Sequence, residues 1–318
     1  MDNKFRFGAF LLSLLLISSF TFAQTSAAYK IRVGDIEVYS LSDGTVDIDA
    51  EKLFKNNEPG RSTKILEEQF MTNPVEVCIN VFLLKIGSKI ILIDSGAGEL
   101  LGTSAGHLTE SLKSIGITPN DITDILLTHI HGDHSGGLVV KGEKVFPNAI
   151  IHVNKKEIDF WLDKENVTKT SLDKMGANPQ TFENAEKMIK PYMTDGQVLV
   201  FNETGIEVLP HIYTYSIGGH TPGHTIYVLK NKSEELFFWG DIVHIGAIQL
   251  VDPNIPDDFD VDSLLSGIAR NTFLKKAVDG KFLIAAAHVS FPGFGRLKYE
   301  KSKYMWYAIP YSISGRTH

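Results

Sequence analysis

The chain has 318 residues, 43% hydrophobic and 22% charged, with 31 basic against 38 acidic side chains and a formal charge of −7. Its 19 Phe, 10 Tyr and 3 Trp call for a sizeable core, which excludes a disordered, collagen-like or coiled-coil chain. The acidic balance argues against a nucleic-acid partner, and a single cysteine, Cys78, excludes a disulfide framework and a cysteine-rich zinc site.

In chain order, residues 1–23 read as a secretory signal. Lys4 and Arg6 precede an apolar run over 8–22, and Thr21-Phe22-Ala23 sets small residues before a cut at Gln24. The run is short against the roughly 20 residues a membrane span needs, so a cleaved signal is expected rather than an anchor. Residues 24–318 then form one exported domain, periplasmic or secreted, with no further membrane segment. Strand-like alternation covers 31–41 and ends in Ser42-Asp43-Gly44, read as a turn. Residues 77–86 and 90–93 flank Gly87-Ser88 as a hairpin. Further strands are expected at 122–127, 149–153, 197–201, 206–209, 212–216, 225–229, 236–239 and 282–286. Helical periodicity marks 61–70, 106–114, 155–162, 180–190 and 261–277. Strand clusters with interposed helices, without strict βαβ alternation, predict an α+β fold of two sheets covered by helices.

The densest chemistry follows the strand at 122–127, in Thr128-His129-Ile130-His131-Gly132-Asp133-His134. His129 and His131 are two apart and point the same way in extended backbone, while Asp133 and His134 turn toward a second point. Three imidazoles and a carboxylate within six residues suit one or two divalent metals of borderline softness. Gly219-His220-Thr221-Pro222-Gly223-His224, Gly240-Asp241 and the strand-end His288 add the nitrogens and the carboxylate that this block lacks. Each is weak alone, and together they complete a site. His107, His152, His211 and His318 have no evident partner, and Cys78 reads as a small buried hydrophobe distant from every motif.

In order, Ile93-Asp94-Ser95-Gly96, the block at 129–134, the turn at His220, Gly240-Asp241 and His288 resemble the metallo-β-lactamase-fold hydrolases over nearly the whole mature chain. The nearest likeness is to the methyl parathion hydrolases and the secreted quorum-quenching lactonases. It extends to Leu41-Ser42-Asp43-Gly44-Thr45, Phe146-Pro147-Asn148-Ala149 and Asp159-Phe160-Trp161-Leu162. The resemblance implies an αββα sandwich of two mixed sheets, with two divalent ions at one edge. Zinc is the default, and manganese, cobalt or iron fit the same donors. Carried over, His129, His131 and His220 would bind one ion. Asp133, His134 and His288 would bind the other, with Asp241 bridging and Asp94 orienting a ligand. His224 is not an expected ligand. Asp133 would also pass a proton to the leaving oxygen after attack by a bridging hydroxide. His244 stands where many such lactonases carry a substrate-assisting tyrosine, and reads either as a catalytic donor or as a packing residue.

The pocket positions implied by likeness are Leu101, Trp161, Phe182, His244 and Phe259, with Phe54 and Phe70 from an N-terminal arm. Leu101 replaces an aromatic, and His244 an aliphatic, of the parathion hydrolases. That favours an N-acyl homoserine lactone over an organophosphate triester or aryl ester. Only 30 residues follow His288, too few for the helical C-terminal part of glyoxalase II-type enzymes. The expected partners are a small lactone or ester and, by likeness alone, a second copy in a homodimer.

Overall fold

A computed structural model describes residues 27–54, 58–169 and 174–315. The expected signal at 1–23 and His318 lie outside the described residues. The first sheet is built from β1 (Ala28–Val33), β2 (Ile36–Ile48), β3 (Val75–Ile86), β4 (Lys89–Ile93) and β5 (Asp124–Leu126). A small hairpin of β6 (Val139–Val140) and β7 (Glu143–Lys144) follows, and β8 (Ile150–Asn154) and β9 (Val198–Phe201) complete the sheet. Its order is β1-β2-β3-β4-β5-β8-β9, antiparallel as far as β4 and parallel beyond.

The second sheet takes its strands in sequence: β10 (Glu207–Leu209), β11 (Ile212–Ser216), β12 (Thr225–Asn231), β13 (Glu234–Phe238), β14 (Leu283–Ala285), β15 (Phe294–Glu300) and β16 (Lys303–Ala308). Only β13 and β14 run parallel, and the crossover between them carries α9 (Ser263–Asp279). Both sheets are mixed, as expected.

Alternation along the central strands sorts their side chains into layers. Phe82, Leu84, Ile91, Ile93 and Leu126 face Tyr227, Leu229, Leu236, Phe238 and Leu283 of the other sheet. The intervening Leu83, Leu92 and Ile125 pack under α3 (Leu108–Ser114) and α7 (Pro179–Thr194). Ile226, Val228, Phe237 and Ile284 pack under Phe273, Leu274 and Ala277 of α9. The result is a helix–sheet–sheet–helix sandwich.

Three expectations are corrected. The alternation at 31–41 is two strands, broken by the turn at Gly34-Asp35. Ser42-Asp43-Gly44 is not a turn, because β2 runs on to Ile48 with its register shifted between Ser42 and Gly44. Gly44 has φ +126°, and a Cβ there would lie 2.1 Å from the Ser104 carbonyl oxygen. The buried Asp43 carboxylate accepts the backbone N–H groups of Ala97, Gly106 and Leu108 at 2.8, 3.0 and 2.9 Å. The third correction is the unforeseen hairpin of β15 and β16. Its turn at Lys301-Ser302 takes positive φ at both residues without the Asn-Gly pair that usually marks such a turn. No helix among the described residues is long and apolar enough to cross a membrane.

Candidate metal centre

The polar motifs meet because β4, β5, β13 and β14 all end at one edge of the sandwich. Asp94 follows β4, and the block at 129–134 follows β5 and turns into α4 (Gly132–Ser135). Asp241 follows β13, His288 follows β14, and the His220 turn connects β11 to β12.

Two donor clusters result. In the first, His129 Nε2 and His131 Nδ1 lie 3.1 Å apart, and His220 Nε2 is 2.9 Å from His131 Nδ1 and 3.1 Å from His129 Nε2. Asp241 Oδ2 closes it, 3.3 Å from His220 Nε2 and 3.7 Å from His129 Nε2. In the second, His134 Nε2 and His288 Nε2 are 3.3 Å apart. Asp133 Oδ2 stands 3.5 and 3.3 Å from them, and Asp241 Oδ1 3.0 and 3.1 Å. The two oxygens of Asp241 thus serve one cluster each.

These spacings fit divalent ions. Tetrahedral ligands at zinc–nitrogen lengths stand about 3.3 Å from one another. Asp241 Oδ1 is buried and accepts no hydrogen bond from the protein, a cost that a cation at the site removes. Imidazole and carboxylate donors of this kind suit zinc or its neighbours. The chain therefore carries a dinuclear divalent-metal site.

Each ligand imidazole is fixed through its other nitrogen, which turns the remaining lone pair inward. Thr128 Oγ1 lies 3.0 Å from His129 Nδ1. His131 Nε2 donates to the Gly176 carbonyl and His220 Nδ1 to Asp260 Oδ1, at 2.9 and 3.0 Å. His134 Nδ1 donates to Asp94 Oδ2 at 2.8 Å, and His288 Nδ1 to the Cys78 carbonyl at 2.9 Å. The structure thus sets Asp94 beside His134, and it corrects the distance assigned to Cys78. Asp260 and Gly176 carried no sequence signal.

Asp94 sits at φ +64°, a left-handed conformation that also lets its carboxylate accept the N–H and hydroxyl of Thr128. Burial and neighbouring imidazoles hold His129 and His220 well below the ordinary histidine value, and burial holds His131 at about 4. Burial also opposes charge on His134, but the carboxylates of Asp241, Asp133 and Asp94 outweigh it and raise that group.

Several groups hold the ligand loops. Glu157, fully buried on α5 (Lys155–Trp161), accepts the N–H of Ile130 at 3.0 Å and of Gly223 at 2.6 Å, joining the loops that carry His129, His131 and His220. Trp161 Nε1 donates to the same carboxylate at 2.8 Å. His224 Nε2 accepts the N–H of Asp241 at 2.9 Å. His152 has a partner after all, donating to buried Asp124 at 2.9 Å.

A cleft of about 360 Å³ opens onto His131, Asp133, Asp241, His244 and His288. Val46, Val77, Leu100, Leu101, Met175 and Phe259 form its apolar wall, and Asp47, Asp49 and Lys52 stand among its polar lining. Of the pocket positions expected from sequence, Leu101, His244 and Phe259 line this cleft. Trp161 and Phe182 do not: they lie buried behind His131, packed at tilted or edge-on angles against one another and Phe160. Phe54 packs in the core beneath the arm, and Phe70 points fully into solvent. His244 does line the cleft, but both of its ring nitrogens already face carboxylates, Asp241 Oδ2 at 2.9 Å and Asp257 Oδ2 at 3.1 Å.

Comparison with known proteins agrees with this geometry. The family model described as the metallo-beta-lactamase superfamily matches residues 77–288. The crystal structure of AbOPH, a hydrolase in the beta lactamase superfamily, is similar with 32% identity and a TM-score of 0.85, over 91% of this chain and 99% of that one. AidC, a dizinc quorum-quenching lactonase in complex with a product, N-hexanoyl-L-homoserine, is similar with 28% identity and a TM-score of 0.83, over the same shares of the two chains. Among curated proteins, an atrochrysone carboxyl ACP thioesterase from Passalora fulva is 36% identical over 80 residues, 25% of this chain and 22% of that protein.

Proposed function

Because the chain belongs to the metallo-beta-lactamase superfamily and is a metal-dependent hydrolase, we propose that it opens the ring of N-acyl homoserine lactones. The observation that carries this reading is the shape of the cleft. An apolar wall leads to a compact polar floor, which suits an acyl tail on a small lactone. With Trp161 and Phe182 behind His131, Phe259 is the one Phe, Tyr or Trp among the described residues of the lining. Aryl groups of a phosphotriester would find little to stack on. The likeness to a lactonase that holds an acyl-homoserine product supports the same substrate.

Two bound divalent ions, zinc in this reading, would supply a water acidified toward neutrality and a polarised carbonyl. The protein's own groups do the rest. Val46, Leu101 and Phe259 hold the acyl chain and exclude water from the floor. Asp133, partly exposed at that floor, takes the proton lost as the carbonyl carbon gains its new oxygen. When the ring C–O bond breaks, Asp133 returns a proton to the leaving alkoxide, so water and lactone give the free hydroxy acid. By the signal at 1–23 the enzyme acts outside the cytoplasm, and by likeness it acts as a homodimer.

The test is proton release on short- and long-chain N-acyl homoserine lactones, beside an aryl phosphotriester, each with chelator and after zinc is restored. Rapid, metal-dependent lactone opening with slow triester cleavage is expected. Fast triester cleavage without lactone opening would assign the cleft to organophosphates instead.

A further inference from the structure

Behind the centre lies a polar unit that the hydrolytic chemistry leaves unexplained. Arg270, on α9, is 1% exposed. Its guanidinium donates to the carbonyls of Ile242, Pro253 and Ile255 at 2.7, 3.0 and 3.2 Å. Nη2 lies 3.4 Å from Asp257 Oδ2 and 3.4 Å from Asp260 Oδ2, both on the loop before α9 and both fully or nearly fully buried. Each carboxylate then holds one imidazole. Asp260 Oδ1 accepts from His220 Nδ1, and Asp257 Oδ2 accepts from His244 Nδ1. His244 in turn donates through Nε2 to Asp241 Oδ2.

One guanidinium therefore fixes two routes into the metal centre. The first runs to a terminal ligand, His220, and the second to the shared carboxylate, Asp241. Burying a charge with two carboxylates and three carbonyls is a heavy construction for a fold that already has three large apolar clusters. Simple packing would be served as well by an apolar side chain.

We propose that Arg270, Asp257 and Asp260 are positioning residues that set Asp241 and His220 in register, and that His244 works as the link to Asp241 rather than as a donor to the substrate. A histidine with both nitrogens on carboxylates has no N–H left for a carbonyl in the cleft. The inference rests on the two-metal hydrolase reading of the site and not on the identity of its substrate.

Asp257→Asn tests the longer route. Oδ1 of Asp257 accepts the N–H groups of Phe259 and Asp260, a role the amide oxygen can keep. The amide NH2 would then face three donors, His244, Gln249 and Arg270, so the hold on His244 is lost. Asp260→Asn tests the shorter route, and Arg270→Lys tests their common origin. The readouts are zinc bound per chain, zinc affinity by competition with a chromophoric chelator, and the visible absorption of the cobalt-loaded protein. Circular dichroism of each variant checks that it is folded.

Asp257→Asn and Asp260→Asn should each weaken zinc binding by about 10- to 100-fold, the usual cost of losing a group that orients a ligand. The cobalt spectrum should shift, and Arg270→Lys should do both. If folded Asp257→Asn and Asp260→Asn bind two zinc ions as tightly as the parent chain with unchanged cobalt spectra, the proposal is overturned. If Arg270→Lys is the one variant that fails to fold, the two Asn variants decide. A parent chain that binds two ions but opens no lactone would sink the substrate reading and leave this one standing.

Discussion

Asp43 shows what a single buried group does in this protein. It accepts three backbone N–H bonds that gather residues 97–108, the loop that carries Leu100 and Leu101 of the cleft wall. Burial still outweighs those bonds and pushes the carboxyl up to about 6. The folded state therefore binds a proton more tightly than the unfolded chain, so the fold loses stability as pH rises from about 4 to about 6. The loss from this group is about 3 kcal/mol. Urea unfolding of the parent and of Asp43→Asn across that window should show the parent falling relative to the variant. Parallel curves would mean that folding leaves the proton affinity of Asp43 unchanged. The donor residues 129, 131, 133, 134, 220, 241 and 288 were legible in sequence because metal chemistry demands rare residue types at fixed spacings. Asp257, Asp260 and Glu157 were not, since a buried carboxylate far along the chain from its partner looks like any surface acid.

At the scale of elements, the site depends on a close approach between the His220 turn and α5. A Cβ on Gly223 would stand 2.8 Å from the Glu157 backbone nitrogen and 2.9 Å from its Cγ. Gly223→Ala must push the turn off Glu157, breaking the bond that ties His220 to the His129 loop. A stability loss of about 1–3 kcal/mol is expected from such overpacking, together with weaker zinc binding at the first cluster. Equilibrium unfolding and metal analysis read both, and unchanged values would show the clamp to be slack. The strands and longer helices were legible from periodicity to within a few residues. What escaped were mostly short elements with little periodicity to read: the four-residue α1 (Ala50–Leu53), α4 and α8 (Gly246–Gln249), the six-residue α6 (Lys164–Lys169), the β6–β7 hairpin, and the β15–β16 hairpin, whose charged turn lacks glycine. The aromatics misassigned to the pocket failed for a related reason. Trp161 occupies a helix beside the site, but sequence spacing does not say which side of His131 its ring takes.

Across the whole molecule, the metal donors are divided between the two sheets. His129, His131, Asp133 and His134 follow a strand of the first, and His220, Asp241 and His288 attach to the second. Bound ions therefore join the halves of the sandwich as well as serving the cleft. Stripping them with a chelator should lower Tm by about 10 °C where the ions were present at a thousand times their dissociation constant. Restoring zinc should reverse the change, and a Tm indifferent to the chelator would mean that the two sheets are equally secure without the ions.

That division also sets a clock. The donor set begins at position 129 and closes at position 288, so it is dominated by contacts remote in sequence, which form late as a chain folds. A molecule that has made its first sheet holds the whole 129–134 block yet lacks the bridging carboxylate. It has no two-ion centre to offer. Hydrolytic competence thus needs both sheets in place, and a copy that has formed only the first has no complete donor set.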